Sequence, residues 1–270
     1  MTSFLSATSA VQSRNGVNAL PIRNTEGGAT LPVSFDGAPT AGDDGSIDHG
    51  VTKNPYERRF SPYEFNGGTT LAISGKDYAV VAGDTRLSEG YEILTRDVTK
   101  LHELTDRVVL ASAGCKTDID QLWSVLDIKC NVYKHNHRKT MSVESSAQML
   151  GNTLYGRRFF PYYSFNVLAG VDSEGKGAVY SYDAVGSFER TPFSATGSGQ
   201  SFLIPLMDNV ISHKNRNDER RELGSDEVVE IVKDAFVTAG ERDIYTGDKV
   251  EIAVITKDGI QRTTFDLKAD

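Results

Sequence analysis

Short apolar runs bounded by Gly, Asp and Asn begin at Phe65 and continue to the C-terminus. "TTLAISG" and "YAVVAGD" read as two β-strands, with Gly75-Lys76-Asp77 as a tight turn between them. "RVVLASAG" is a third, buried strand. In "TDIDQLWSVLDIKCNVYKHNH" the residues Ile119, Leu122, Trp123, Leu126 and Cys130 recur at helical spacing, with Thr117 as the N-cap. A second helix follows from Ser142 through "VESSAQMLGNTLYG". "FNVLAGVD", "GAVYSYDAVGSFER" and "TPFSATG" return to strand patterning around the turn "SEGKG". "QSFLIPLMDNV" predicts a short helix and "KNRNDERRELG" a charged loop. Ser225 then caps an acidic first turn, and Val228, Val229, Ile231, Val232, Ala235, Phe236 and Ala239 give that helix one apolar face. "KVEIAVITKDGIQRTTFDL" closes the chain as a hairpin turning at Asp258-Gly259.

Strands, a helix pair, strands, helices and a closing hairpin do not alternate as βαβ units. Segregated runs of this kind predict an α+β fold, antiparallel sheets with helices on their outer faces. Residues 1 to 60 lack periodicity and are rich in Gly, Ser, Thr, Asn and Ala, the composition of a flexible leader ahead of a domain spanning 61–270.

Composition narrows the classes. At 270 residues, 39% hydrophobic and 24% charged, the chain is an ordinary globular protein able to bury a large core. A net charge of -8 argues against nucleic acid as a partner. Cys115 and Cys130 are too few for a disulfide framework and form no C-x-x-C pair. No apolar run reaches the roughly 18 residues that would span a membrane. Two arginines before Glu26 are too thin a basic signal for a transit peptide, and no basic stretch precedes a long apolar run as a secretory signal requires. His102, His135 and His137 are the histidines to weigh for metal binding. "HNH" falls at a helix end with no carboxylate or cysteine cluster beside it, so a solvated terminus is expected, with no metal and no cofactor.

The strings "GGTTLA", "AGDTR", "VTK", "SAG", "GSGQ" and "ERDIYTGD" occur in this order. Together they resemble the beta subunits of the proteasome core particle, members of the N-terminal-nucleophile hydrolase family, over about Arg59 to the C-terminus. "LYGRRFFPYY" is similar to the sixth, non-catalytic type of eukaryotic beta subunit. The resemblance implies a four-layer αββα sandwich of two antiparallel sheets. It implies partners as well: other alpha and beta subunits in stacked seven-membered rings, and protein substrates through the complex, in cytoplasm and nucleus. Leu122, Trp123 and the aromatics of "RFFPYY" are expected to be ordinary core side chains.

Active members of that family attack peptides with an N-terminal threonine hydroxyl, freed by self-cleavage after a glycine, with the α-amino group as base. A lysine eases deprotonation, an aspartate orients the lysine, and a glycine N–H stabilises the oxyanion. On this resemblance the aspartate matches Asp84, the lysine Lys100 and the oxyanion glycine Gly114, while Ser198, Asp243 and Thr246 match the supporting residues. The nucleophile position falls on Gly68, with Asp84 16 and Lys100 32 residues after it. Thr69 is one residue on, which turns its side chain to the opposite sheet face. Thr70 regains the face but stands roughly 6.5 Å along the strand. The expectation is therefore a degenerate site, no catalysis by this chain, an intact Gly67–Gly68 bond and a leader that persists, whole or trimmed upstream. Asp84 and Lys100 persist as a mutually neutralising pair, expected in a partly buried setting. The competing readings are a protease using Thr69 after atypical processing, and a stand-alone binding module outside any ring.

Overall fold

The computed structural model describes residues 61–214, 217 and 221–269, all within the unit Ser61–Asp270. The leader and transit-peptide readings of residues 1–60 lie outside the described residues, as does part of the charged loop.

Two five-stranded antiparallel sheets form the middle of the unit. One runs in the order β10-β1-β2-β11-β12, from β1 (Thr69–Ser74), β2 (Tyr78–Asp84), β10 (Phe193–Gly197), β11 (Lys249–Thr256) and β12 (Gly259–Asp266). The other runs β5-β6-β7-β8-β9, from β5 (Leu101–Thr105), β6 (Val108–Gly114), β7 (Ser164–Val171), β8 (Gly177–Tyr182) and β9 (Phe188–Thr191). Period-two alternation decides what each strand faces. Leu71 and Ile73 of β1, with Val80 and Ala82 of β2, pack under α3 (Gln200–Val210) and α4 (Ser225–Gly240) through Leu203, Met207, Val232 and Phe236. Ala72, Ala79 and Val81 point the other way, against Val109, Ala111, Val167 and Ala169 of the second sheet. The outer face of that sheet, with Leu110 and Leu168, is covered by α1 (Lys116–His137) and α2 (Val143–Tyr155) through Leu122, Leu126, Leu150 and Leu154. The result is the four-layer αββα sandwich, with a core between each pair of layers. Alanines recur in the middle core, and small side chains there let the two sheets lie close.

Several local readings change. The N-cap of α1 is Cys115, with no side-chain bond, rather than Thr117, which contacts Cys115 Sγ instead. The N-cap of α4 is Gly224, whose N–H donates to Glu227 Oε2 at 3.2 Å, so Ser225 is already helical. The closing hairpin pairs Thr256 with Gly259, placing its two-residue loop at Lys257-Asp258. A small hairpin, β3 (Leu87–Glu89) and β4 (Glu92–Thr95), has too little apolar pattern to be anticipated. Trp123 is partly exposed and Phe159 and Phe160 are exposed, so of these aromatics only Tyr162 is a core side chain. Residues 156–160, around Phe159, form a turn on the surface. Ser142 caps α2 as expected, accepting from Ser145 N.

Candidate functional site

Four segment ends meet at one end of the sandwich: Gly68 before β1, Asp84 closing β2, Lys100 before β5 and Gly114 closing β6. Antiparallel pairing puts them there, because β1 and β2 run in opposite directions and the second sheet stacks its own ends beneath.

Lys100 and Asp84 are far more deeply buried than expected, at 5% and 0% exposure. The Lys100 ammonium lies 3.1 Å from Asp84 Oδ1 and donates to the backbone carbonyls of Asp84 at 2.8 Å and Arg86 at 2.7 Å. Three donors thus meet three oxygens. Asp84 also accepts from the backbone N–H of Thr69 at 2.7 Å, Arg86 at 3.3 Å and Gly247 at 3.4 Å. Burial pushes the Asp84 carboxyl up from its ordinary range, and the Lys100 charge and the amide donors pull against it. Burial likewise pushes Lys100 down, with Asp84 opposing. Removing either partner would strand a buried charge.

Gly68 carries no side chain to this pair. Its carbonyl accepts from Ser198 N at 3.0 Å, and its backbone sits at φ +86°. Opposite it, Gly197 must be glycine, because a Cβ there would lie 1.9 Å from the Gly68 oxygen.

Thr69 and Thr70 are both fully buried, on opposite faces of β1. Thr69 shares its face with Leu71 and Ile73, on the helix side. Its hydroxyl accepts from Gly199 N–H at 2.9 Å and lies 2.6 Å from Thr246 Oγ1. Thr246 donates its single proton to Asp243 Oδ2 at 2.6 Å, so Thr69 is the donor to Thr246. Ser198 Oγ donates to the same carboxylate oxygen at 2.5 Å. Ser198, Asp243 and Thr246 are therefore brought together, around Thr69. Thr70 faces the middle core and donates to Thr196 Oγ1 at 2.7 Å, Thr196 passing its own proton to the Phe165 carbonyl.

Gly114 lies across a cleft of about 10 Å³, lined also by Gly67, Lys100, Ser112 and Ile119, with room for about one water. The Gly114 carbonyl accepts from Asn66 N at 3.1 Å. The sequence reading passed over Asn66, whose side chain also accepts from Lys116 N at 2.9 Å and donates to the Ser88 carbonyl at 3.2 Å. It also left aside the buried Arg86–Asp248 ion pair at 2.8 Å, to which Arg96 adds a second cation. Burial pushes the Asp248 carboxyl up, but Arg86 and Arg96 outweigh it and hold the group below the usual carboxylate range; its backbone is left-handed, at φ 69°. Arg86 and Asp248 stand in "AGDTR" and "TGD", so the signal was present as a basic residue in one motif and an acidic residue in another.

The histidines separate. His135 and His137 are exposed in the last turn of α1. His102 is buried and stacks on Trp123 at 5.3 Å with Nε2 unpartnered; burial, then the Lys116 charge, pushes it down to about 4. Among the described residues no group of three or more His, Cys, Asp or Glu could hold a metal, and no helix is long and apolar enough to cross a membrane.

Chemically, the site offers a saturated ammonium, a saturated carboxylate and a backbone, and two threonine hydroxyls engaged elsewhere. A family model described as "Proteasome subunit" matches residues 64–255. "Proteasome subunit beta type-1" of Arabidopsis thaliana is 50% identical over 216 residues, covering 78% of this chain and 97% of the relative. The protein of that name from Oryza sativa subsp. japonica is 53% identical over 213 residues, 77% of this chain and 96% of the relative. "Probable proteasome subunit beta type-6" of Schizosaccharomyces pombe is 42% identical over 223 residues, 79% of this chain and 99% of the relative.

Proposed function

The chain belongs to the proteasome family of beta subunits, and from that premise we propose that it is a non-catalytic, structural member of the core particle. It closes a seven-membered beta ring beside other alpha and beta subunits and helps line the substrate pocket of an adjacent active subunit. The complex degrades proteins in the ATP- and ubiquitin-dependent pathway, in cytoplasm and nucleus; this chain contributes shape and contacts. The residues aligned with the family's machinery, Asp84, Lys100, Gly114, Ser198, Asp243 and Thr246, are remnants with structural roles. Residues 1–60 are a leader, and the Gly67–Gly68 bond stays intact because self-cleavage needs the hydroxyl that Gly68 lacks.

The observation that carries this reading is the pairing of Gly68 with Lys100. Residue 68, whose Cβ position lies against Lys100, carries only a hydrogen atom there. Use of Thr69 instead is disfavoured by its hydroxyl, which lies on the helix side of β1 and is committed to Gly199 and Thr246. Catalytic groups need placement within about half an ångström, and a turned strand face exceeds that many times.

Intact mass of the chain from the purified native complex, with and without a threonine-directed covalent inhibitor, tests the proposal. The expected chain begins upstream of Gly68 and carries no adduct. A chain that begins at Thr69 and gains the inhibitor's mass is a protease, and the proposal fails.

A further inference from the structure

We infer that the nucleophile's place in this chain is filled rather than vacant: the Lys100 side chain and the left-handed backbone at residue 68 together exclude a threonine there. The inference rests on the reading of Gly68 as the nucleophile position and adds that one substitution cannot restore it.

Two independent observations carry it. A Cβ built on Gly68 would lie 2.0 Å from Lys100 Cε, 2.6 Å from Nζ and 3.0 Å from Cδ. The far end of a lysine can usually swing aside. Here it is held by the carbonyls of Asp84 and Arg86 and by the Asp84 carboxylate, beside a cleft with room for about one water. Moving it by an ångström breaks charge-assisted bonds that nothing in the site replaces. The second observation is φ itself. At +86° a β-branched residue is a steric outlier, and Gly67 before it is also left-handed, at +70°.

The peptide cannot relax out of that conformation easily, because it is tied on both sides. Upstream, Asn66 bonds to Gly114, Ser88 and Lys116. Downstream, Thr69 N–H is held by Asp84 and the Gly68 carbonyl by Ser198 N. A threonine at 68 must therefore displace Lys100, rebuild two backbone dihedrals, or both. The lysine kept from a catalytic arrangement has become the group that closes it.

The test is a cycle of Gly68→Thr, Lys100→Ala and the double variant, each expressed as the sole copy of the chain and followed into the purified complex. The Gly68→Thr chain is expected to enter the complex several-fold less than wild type, to keep residues upstream of 68, and to gain no mass from a threonine-directed inhibitor. The double variant is expected to lose less than the product of the two single losses, since shortening the lysine removes one of the two obstacles and leaves only the backbone strain at φ +86°. For variants that do not enter, pulse proteolysis of the full-length chains before assembly reads the same cycle. The inference is overturned by a chain beginning at residue 68 with the inhibitor attached, by Gly68→Thr behaving as wild type, or by a double variant whose loss is the product of the single losses. An adduct on the wild-type chain would instead refute the proposed function.

Discussion

Replacing Lys100 with methionine isolates what the buried pair does for stability. The substitution keeps much of the side-chain volume and removes the charge that faces Asp84 at 3.1 Å. Asp84 is then an unpaired carboxylate with no exposed surface, a situation that costs about 3–5 kcal/mol. A second route caps the cost. Protonating a carboxyl of ordinary pKa near 3.9 at pH 7 costs about 4 kcal/mol, at about 1.4 kcal/mol per pH unit. Without its cation the carboxyl's folded pKa is raised further above the unfolded value. The penalty is then absent below about pH 4 and grows as pH rises toward the folded pKa. We expect Lys100→Met to lose at most about 4 kcal/mol at pH 7 and at most about 2 kcal/mol at pH 5.5 relative to wild type at the same pH, with the larger loss at pH 7. Adding Asp84→Asn should abolish that pH dependence. Urea unfolding of the purified full-length chain, followed by fluorescence of its single tryptophan, Trp123, measures this. A loss below about 1 kcal/mol, or one equal at both pH values, would refute the assignment of Lys100 as the counter-ion of a desolvated Asp84.

Two further expectations separate structural roles from catalytic ones. Thr69→Val keeps the shape but removes the hydroxyl between Gly199 N–H and Thr246, so stability should fall by about 1–3 kcal/mol. The peptidase activities of assembled complexes should be unchanged, and loss of one activity in proportion to variant content would contradict an inert chain. His102, held at about 4 in the folded chain against an ordinary 6.5, binds its proton more readily when unfolded, so acid removes stability beginning near pH 6.5 and ending near pH 4. Between pH 7 and pH 5 the loss should be about 2 kcal/mol, and His102→Phe should flatten that slope in the same urea experiment.

The pattern of apolar positions announced most elements, because the helices bury one face at helical spacing and the central strands, buried on both faces, read as short continuous apolar runs. β3, β4 and β5 were missed for the converse reason: β3 and β4 are half-exposed and short, and β5 offers only Leu101 and Leu104 as apolar positions. Helix starts at Cys115 and Gly224 were shifted because local hydroxyls at Thr117 and Ser225 advertise caps that the backbone does not use. The aromatics of "RFFPYY" look like core in any residue-by-residue reading, and only the layer arrangement shows that nothing among the described residues covers Phe159.

At the site, the spacing of Gly68, Asp84 and Lys100 and the one-residue flip between Thr69 and Thr70 were properties of the sequence alone, since a strand's side chains alternate whatever it packs against. Depth was not. That Asp84 and Lys100 are fully enclosed, that Asn66 ties the chain across Gly114, and that Thr69's proton runs to Asp243 through Thr246 depend on segments 50 to 177 residues apart meeting at one end of two stacked sheets. Sequence determines which way each side chain points; only the packing of the two sheets decides what it meets there.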